Sequence, residues 1–350
     1  MKKSLLALAA ISFAGAAAAQ SSVTLFGIVD AAYAHVSAGG RSASGITNSG
    51  INSSRLGFRG TEDMGGGLKA NFWLEGQLNN DTGTGNATGG GLDFARRAYV
   101  GLEGSFGSVN LGREYTPSFW NTTVYDPFGT NGVGSSNAIN MITGSGVAGN
   151  VANGVRANNM IGYTTPGMGG FIVQAMVAFG ENTGGVKTNN YVGFRVGYAA
   201  GPLSVHYAYA NTKAALSAND LKYSNIGASY DLGVVKPIFF YGNEKTSSGA
   251  KVTGLLIGAT APMGQGEFRA AYSTYNVSGV SAIVNANDWK KFAFGYVYNL
   301  SKRTAMYGTY ARVSNSGAQN KSASVSSLSA GAAAAGGGST GYEFGVRHIF

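Results

Sequence analysis

Three histidines and one serine motif are the first candidates for chemistry in this sequence. His35, His206 and His348 are far apart along the chain, and cysteine is absent. The segment GGSTG at 337–341 fits the G-x-S-x-G pattern of serine hydrolases, but it lies in an Ala/Gly tract rather than at a strand-to-helix turn. A catalytic triad or a metal site needs convergent groups, and the spacing indicates none. We therefore expect no catalytic, cofactor-binding or metal site.

Arginines on segments of alternating polarity are the second set of candidates. In SSRLGFRGTED the apolar residues alternate with Arg55 and Arg59, and in FARRAYVGLEG Arg97 lies on the polar or small face. The same alternation assigns Arg195 and Arg347 to the polar face of their segments. For any one arginine, the alternative is a solvated side chain paired with a nearby carboxylate.

The elements that must position these residues have the pattern of β-strands. In LKANFWLEGQL, at 68–78, Leu, Ala and Phe occupy one face while Lys, Asn, Glu and Gln occupy the other, and KKFAFGYVYNL at 290–300 repeats the pattern. About sixteen such segments, each about ten residues long and bounded by Gly, Asn, Ser or Asp, follow one another from residue 23 to residue 350. The two segments between 235 and 261 are apolar on both faces.

The connections between these segments alternate in length. Short turns such as DMGGG, GSFGS and AAGP alternate with longer Gly/Ser/Asn-rich stretches, which begin at Ser37, Asn80, Tyr115, Glu181, Asn211, Ser278 and Ser314. This is typical of a transmembrane antiparallel β-barrel, and only a closed sheet satisfies its backbone groups in lipid. A soluble β-sandwich is the alternative, but it needs only about 7 to 9 strands. Charged residues are also only 12% of this chain, against about a quarter in soluble domains.

The N-terminal sequence MKKSLLALAAISFAGAAAAQ has the form of a secretory signal peptide. Two lysines precede an apolar stretch from Leu5 to about Ala16, and Ala17 and Ala19 form an A-x-A cleavage site. A membrane helix is the alternative, but it needs about 20 apolar residues. We expect a signal peptide at 1–19 and one barrel domain at 20–350, exported through an oxidising periplasm that suits a chain without cysteine.

The C-terminal segment YEFGVRHIF is an aromatic strand that ends the chain. Alternation places one set of its side chains on the lipid-facing side: Tyr342, Phe344, Val346, His348 and Phe350. Because chain termini usually fray, a strand at the extreme end indicates closure against the first strand, near VTLFGIVDAAY. We expect this strand to be the barrel-closure element and the signal that the barrel-assembly machinery recognises.

Inward arginines indicate a water-filled lumen. A charge in hydrocarbon costs about 3 kcal/mol or more, whereas a wet interior tolerates it. Removal of Lys2 and Lys3 with the signal lowers the formal charge from +9 to +7. A basic excess could indicate nucleic-acid binding, but the strand pattern assigns it to the lumen instead, where it attracts anions.

The segment from Glu114 to about Asn158 is far longer than most loops, since connections of more than about 12 to 15 residues are uncommon and usually functional or disordered. Trp120, Tyr125 and Phe128 could pack against the barrel wall, so we expect this third loop to fold into the lumen. Its charges are sparse: the only carboxylates are Glu114 and Asp126, and Arg156 lies near its return.

The sequence resembles the general diffusion porins of Gram-negative outer membranes, specifically the β-proteobacterial type. The resemblance covers most of the first third and the C-terminal strand. The matching stretches are SSVTLFGIVDAAY, SSRLGFRGTEDMGGGLKANFWLEGQ, FARRAYVGLEGSFGSVNLGREYTP, the DPFG turn at 126–129 and the ending GVRHIF. The chain departs from the pattern at Ile349, where such porins often have a basic residue, and in its thinly charged third loop.

The resemblance implies a sixteen-stranded homotrimeric barrel whose third loop forms a constriction, with acids on the loop facing arginines on the wall. Carried over by position, Asp126 is the loop acid, with Glu114 at the start of the loop. The basic side consists of Arg59, Arg97 and Arg156, and Arg55 is the least secure member.

The function that follows is a channel in the outer membrane of a Gram-negative bacterium. It passes small hydrophilic solutes and inorganic anions by passive diffusion. A substrate-specific channel for a sugar or organic acid is one alternative, and a barrel enzyme of lipase type with His206 as base is another. Expected partners are further copies of the chain, outer-membrane lipids and lipopolysaccharide, and the assembly machinery, but no nucleic acid. A plugged transporter of ~22 strands would need a longer chain.

Overall fold

A computed structural model describes residues 22–87, 89–136, 138–139, 141–142, 149–183, 187–325 and 328–350. The predicted signal peptide at 1–19 lies outside these residues. Among them, no helix is long and apolar enough to span a membrane.

More than half of the described residues lie in β-strands. In chain order they are β1 (Ser22–Ala38), β2 (Arg41–Asn48), β3 (Arg55–Gly65), β4 (Leu68–Gln77), β5 (Arg97–Gly104), β6 (Gly107–Tyr115), β7 (Arg156–Thr164), β8 (Phe171–Ala178), β9 (Tyr191–Ala200), β10 (Leu203–Thr212), β11 (Leu221–Tyr230), β12 (Lys236–Thr246), β13 (Lys251–Met263), β14 (Gly266–Ser278), β15 (Trp289–Asn299), β16 (Thr304–Asn315) and β17 (Gly338–Ile349). Helices α1 (Pro117–Val124) and α2 (Ala282–Asn285) and a 3-10 turn (Ser217–Asn219) lie in the connections.

The sheet closes on itself through the two ends of the chain. β1 pairs antiparallel with β17, from Ile28 opposite Ile349 to Ala38 opposite Ser339. Beyond the ladder, Gly27 N–H donates to the Phe350 carbonyl at 3.0 Å, and Phe350 N–H donates to the Gly27 carbonyl at 3.1 Å. The predicted closure of the last strand on the first is therefore confirmed.

One wall position is shared by two strands. The second half of β1 pairs with β2, whereas its first half pairs with β3, so β2 and β3 are the two parts of one interrupted strand. The barrel thus has sixteen strands, as expected. The prediction of a loop from Ser37 onward was wrong, because residues 41–48 continue the wall. Their sequence RSASGITN has only one large apolar residue, so its alternation is faint.

The interruption between β2 and β3 is held by a buried carboxylate. Asp30 accepts the N–H groups of Ile51 and Asn52 at 2.9 and 2.7 Å. This turns residues 49–54 away from the wall and directs Ser53 and Arg55 towards the lumen side.

The two faces of the wall follow the predicted alternation. In β9, Val192 is 60% exposed on the outside, whereas Tyr191 and Arg195 are buried inside. The predicted outer face of the last strand is also outside, with Phe344 61% exposed and Tyr342, Val346, His348 and Phe350 exposed as well.

The two rims differ in the length of their connections. The short-turn rim consists of residues 66–67, 105–106, 165–170, 201–202, 231–235, 264–265 and 300–303. Its tight turns use glycine where the backbone is left-handed, as at Gly66 with φ of 62°. The long-loop rim carries the longer connections, among them residues 78–96, 116–155 and 316–337.

The segment 116–155, here the lumen loop, folds inward as predicted. Tyr125, Phe128 and Met141 are buried with wall residues such as Leu256 and Trp289 in one apolar cluster. One side of the lumen is therefore filled by packed side chains, and the open space lies on the other side.

Candidate pore constriction

Helix α1 starts the lumen loop and attaches it to β9–β11. The Thr116 hydroxyl caps the helix by accepting the Phe119 N–H at 3.4 Å, and Pro117 occupies the first turn, where its missing N–H costs nothing. Asn121 Nδ2 donates to the His206 carbonyl at 3.0 Å, and Arg195 Nε donates to Asn121 Oδ1 at 2.5 Å. The inward Arg195 is therefore an anchor for the helix.

The DPFG turn follows the helix and is shaped by Asp126. Its carboxylate accepts the N–H groups of Phe128, Thr130 and Ser136 at 2.9, 3.2 and 2.7 Å, and the residue is only 5% exposed. Burial raises the pKa of this carboxyl group above its ordinary value. The carboxylate is thus occupied by the loop's own backbone rather than directed at the arginines of the wall.

Three further bonds fasten the loop to the wall. Ser53 Oγ donates to Asn131 Oδ1 at 2.7 Å, the Val133 N–H donates to Glu343 at 3.2 Å, and the Ile142 N–H donates to Glu244 at 2.8 Å. The anchors lie on β12, on β17 and in the segment before β3. Because they surround the loop, its edge keeps a defined position in the lumen.

Two cavities with shared lining residues lie beside the loop in the lumen. The larger cavity, of about 710 Å³, extends towards the short-turn rim and is lined by Arg55, Arg96 and Arg156. The other, of about 410 Å³, lies towards the long-loop rim. The residues that line both are Ser53, Arg96, Thr130 and Asn131. We take these four residues as the candidate for the narrowest part of the passage and refer to them as the constriction.

The wall at the constriction carries an excess of positive charge. Arg96 Nε and Arg55 Nη1 contact the same carboxylate oxygen, Glu75 Oε1, at 2.7 and 3.3 Å. The Tyr115 hydroxyl accepts hydrogen bonds from Arg96 Nη2 at 2.5 Å and from Arg156 Nη2 at 2.7 Å. Arg55 and Arg96 thus share one buried carboxylate, and Arg156 joins the group through the Tyr115 hydroxyl.

A charged constriction inside a closed sixteen-stranded sheet is the architecture of a diffusion channel, and the sequence comparison identifies which family. Residues 4–318 match the family model described as Gram-negative porin. The chain belongs to the Gram-negative porin family. It is an outer-membrane protein, and its exposed apolar band faces lipid.

Individual porins are similar over nearly the whole chain. Outer membrane porin protein 32 of Delftia acidovorans is 42% identical over 363 residues and is matched over 100% of both chains. An anion-selective porin from Comamonas acidovorans has a solved structure with a TM-score of 0.84 and 39% identity, covering 94% of this chain and 100% of that one. OmpT of Vibrio cholerae, at 15% identity and a TM-score of 0.66 over 94% of this chain and 98% of that one, shares the fold.

Of the wall residues expected to form the porin's filter, Arg55 and Arg156 line the larger cavity and Arg97 does not. Arg97 Nε donates to Glu114 Oε2 at 2.8 Å, and its guanidinium lies 4.1 Å from the centre of the Trp73 ring. The pair lines another cavity, of about 150 Å³, which shares Tyr115 and Trp120 with the larger one. Glu114 therefore neutralises Arg97 instead of facing the arginine cluster.

Arg59 lies on the same side of the wall as Arg55 but nearer the short-turn rim. Its guanidinium is 5.4 and 5.2 Å from the ring centres of Phe26 and Trp73. The inward assignment from alternation agrees with this position. The two strand residues are four apart, so about 13 Å separates them along the strand.

Sequence reasoning missed Arg96, the arginine that belongs to the constriction. Counting in steps of two from Arg97 assigns Arg96 to the outside, and β5 was expected to start at Asp93. The strand begins only at Arg97, and the Arg96 N–H donates to the Glu75 carbonyl at 3.1 Å just before it. Alternation does not apply outside the strand. The one available signal was the Arg-Arg pair at a strand start.

The remaining inward groups support the wall or the loop. Arg347 Nη1 donates to Asn52 Oδ1 at 3.1 Å, next to the interruption of the second strand. His206 Nδ1 lies 2.6 Å from the Tyr125 hydroxyl, which is also 2.8 Å from Ser204 Oγ. His206 thus lies beneath the lumen loop, where its ring and carbonyl hold α1.

Proposed function

We propose that this porin is a passive diffusion channel for small hydrophilic solutes and ions, with a preference for anions. The observation that carries the proposal is the sharing of one buried carboxylate, Glu75, by the guanidinium groups of Arg55 and Arg96, with Arg156 beside them. The anion-selective porin from Comamonas acidovorans, 39% identical, supports the same reading.

The physical basis is the electrostatic potential at a narrow, wet passage. The lining of the larger cavity contains five cationic and three acidic side chains, and one of the acids is the buried Asp126. A charged wall at a constriction raises the local concentration of ions of the opposite sign. Arginine also remains protonated throughout the physiological range, so the preference does not depend on titration of the wall.

The charged residues singled out above have four roles. Arg55, Arg96 and Arg156 attract anions into the constriction. Arg59 extends the positive potential towards the short-turn rim, where its side chain is exposed. Arg97 and Glu114 are a neutral pair that supports the wall, and Asp126 sets the shape of the loop.

The remaining proposals concern processing and assembly. Removal of residues 1–19 leaves one barrel domain at 20–350. The assembly machinery recognises the exposed aromatic face of the last strand: Tyr342, Phe344, Val346, His348 and Phe350. The mature protein is a homotrimer embedded in outer-membrane lipid and lipopolysaccharide.

A substrate-specific channel for an organic acid is the second candidate. Phe119 and Trp120 line the same cavity as Arg156, so an apolar surface lies beside a guanidinium group. That combination suits a small solute with an apolar body and a carboxylate. Such a solute would block the current saturably, whereas a general porin would be insensitive to it.

Planar-bilayer recording of the purified protein in a salt gradient tests the proposal. The expected result is stepwise conductance with a reversal potential of anionic sign. Absence of steps would exclude a pore, and a reversal potential of cationic sign would exclude anion preference. Titration with short-chain mono- and dicarboxylates then separates a general channel from a specific one.

A further inference from the structure

Three lysines lie side by side on the outer face of the barrel at the long-loop rim. Lys222 on β11 pairs directly with Lys245 on β12, and Lys245 pairs with Lys251 on β13. Their chain neighbours Glu244 and Val252 are buried on the lumen side, so alternation directs the lysines outward. Lys222 and Lys245 are exposed and Lys251 is partly exposed. We call these three residues the lysine row.

Like charges in register repel each other unless an anion lies between them. Side chains directly opposite on adjacent strands have Cβ atoms only about 5 Å apart, and like charges there are destabilising. None of the salt bridges among the described residues involves the lysine row. Asp220 interacts with Lys222, but Lys213 Nζ already binds it at 2.7 Å. Among the described residues, therefore, no carboxylate forms a salt bridge with the row, and the nearby Asp220 is shared with Lys213.

The wall below the lysine row changes character in regular steps of two residues. The next outward row lies about 6.6 Å nearer the short-turn rim and is partly exposed. It consists of the hydroxyl residues Ser224 and Thr253 with the amide residue Asn243 between them. The following two rows are mainly apolar: Ile226, Tyr241 and Leu255, then Ala228, Phe239 and Ile257. From the rim downward, the surface is cationic, then polar and uncharged, then apolar.

In outer-membrane barrels the long loops are extracellular, so the long-loop rim lies at the outer leaflet. We propose that the lysine row and the rows beneath it bind a phosphorylated glycolipid of this leaflet, of the lipid A type. Such a lipid has phosphates on sugars, then amide and ester linkages, then acyl chains, which is the same order. The lysines bind the phosphates, the hydroxyl and amide row contacts the linkages, and the acyl chains lie on the apolar rows. A free inorganic anion would use only the lysines and gain nothing from the wall below.

Native mass spectrometry of the delipidated, detergent-solubilised full chain tests this assignment. The variant is Lys245→Gln with Lys251→Gln, and the matched control is Lys302→Gln with Arg303→Gln, which removes two exposed charges at the short-turn rim. The probes are diphosphorylated lipid A, its dephosphorylated form, and excess inorganic phosphate as competitor.

We expect one tightly bound diphosphorylated lipid A per chain. Each lysine near an anionic lipid increases the binding affinity roughly fivefold. The double variant should therefore bind lipid A roughly thirtyfold more weakly. The control variant should bind as the wild type does. Equal binding by the variant, or equal binding of the dephosphorylated lipid, would overturn the proposal. Complete displacement by inorganic phosphate at equal concentration would identify a simple anion site instead.

Conductance of the same proteins separates this proposal from the channel function. The lysine row is outside the lumen, so single-channel conductance and ion preference should be unchanged in the double variant. A loss of channel activity with intact folding would place these lysines in the permeation path and contradict an external lipid site.

Discussion

Two neighbouring arginines, Arg96 and Arg97, lie in different electrostatic surroundings. Arg96 shares the buried Glu75 with Arg55, so this group keeps a net positive charge beside the open cavity. Arg97 has Glu114 as its own partner and lies over the Trp73 ring. The number of inward arginines is therefore a poor guide to selectivity, because what counts is how many carboxylates they share.

We expect the largest change in ion preference when the group of Arg55, Arg96 and Glu75 is disrupted. One charge about 6 Å from the ion path changes the energy of each ion by about 0.7 kcal/mol in water, in opposite directions for anions and cations. Arg96→Gln should therefore lower the anion-to-cation permeability ratio roughly tenfold at low salt. Adding Arg55→Gln leaves Glu75 uncompensated and should reverse the preference. Reversal potentials in a KCl gradient measure both effects.

Removing the negative charge of this group should increase the anion preference. Glu75→Gln removes the one carboxylate that Arg55 and Arg96 share, while its amide oxygen can still accept a hydrogen bond. The anion-to-cation ratio should rise severalfold, and raising the salt to 1 M should suppress the increase, because the screening length falls to about 3 Å. An unchanged ratio at low salt would mean that the path avoids this wall.

We expect a much smaller change in ion preference when the neutral pair Arg97–Glu114 is replaced. Replacing both members, Arg97→Gln with Glu114→Gln, removes one charge of each sign and should change the permeability ratio by less than about twofold. The same bilayer measurement applies, with Arg96→Gln as the sensitive reference. A shift as large as that of Arg96→Gln would show that Arg97 acts in the filter and that the contrast drawn above is wrong.

The smallest effect on selectivity is expected at the loop acid. Asp126→Asn keeps the size of the side chain, and the carboxylate is already turned to the backbone N–H groups of its own loop. We expect the ion preference to remain within about twofold, since the group is buried. Increased open-channel noise would report a loosened loop. A strong gain in anion preference would instead restore the view that Asp126 faces the arginines across the passage.

Elements with a regular residue pattern were predicted correctly from the sequence, and irregular ones were not. The strands around Leu74 and Phe294 were predicted because large apolar side chains recur at every second position over about ten residues. The stretch 41–48 was assigned to a loop because its small residues carry little alternation. The paired role of Glu114 was also missed, since its partner Arg97 is opposite on a neighbouring strand and 17 positions away.

The sequence alone determined that the chain is an exported β-barrel closed by its last strand, because period-two alternation and a terminal aromatic strand are local properties. It also determined that arginines enter the lumen. Only the tertiary structure decided which of them remain available to ions. Arg96, Glu75 and Tyr115 come from three different segments, and their distances depend on strand register and on where β5 begins. Charge balance at the constriction is therefore a property of the assembled wall.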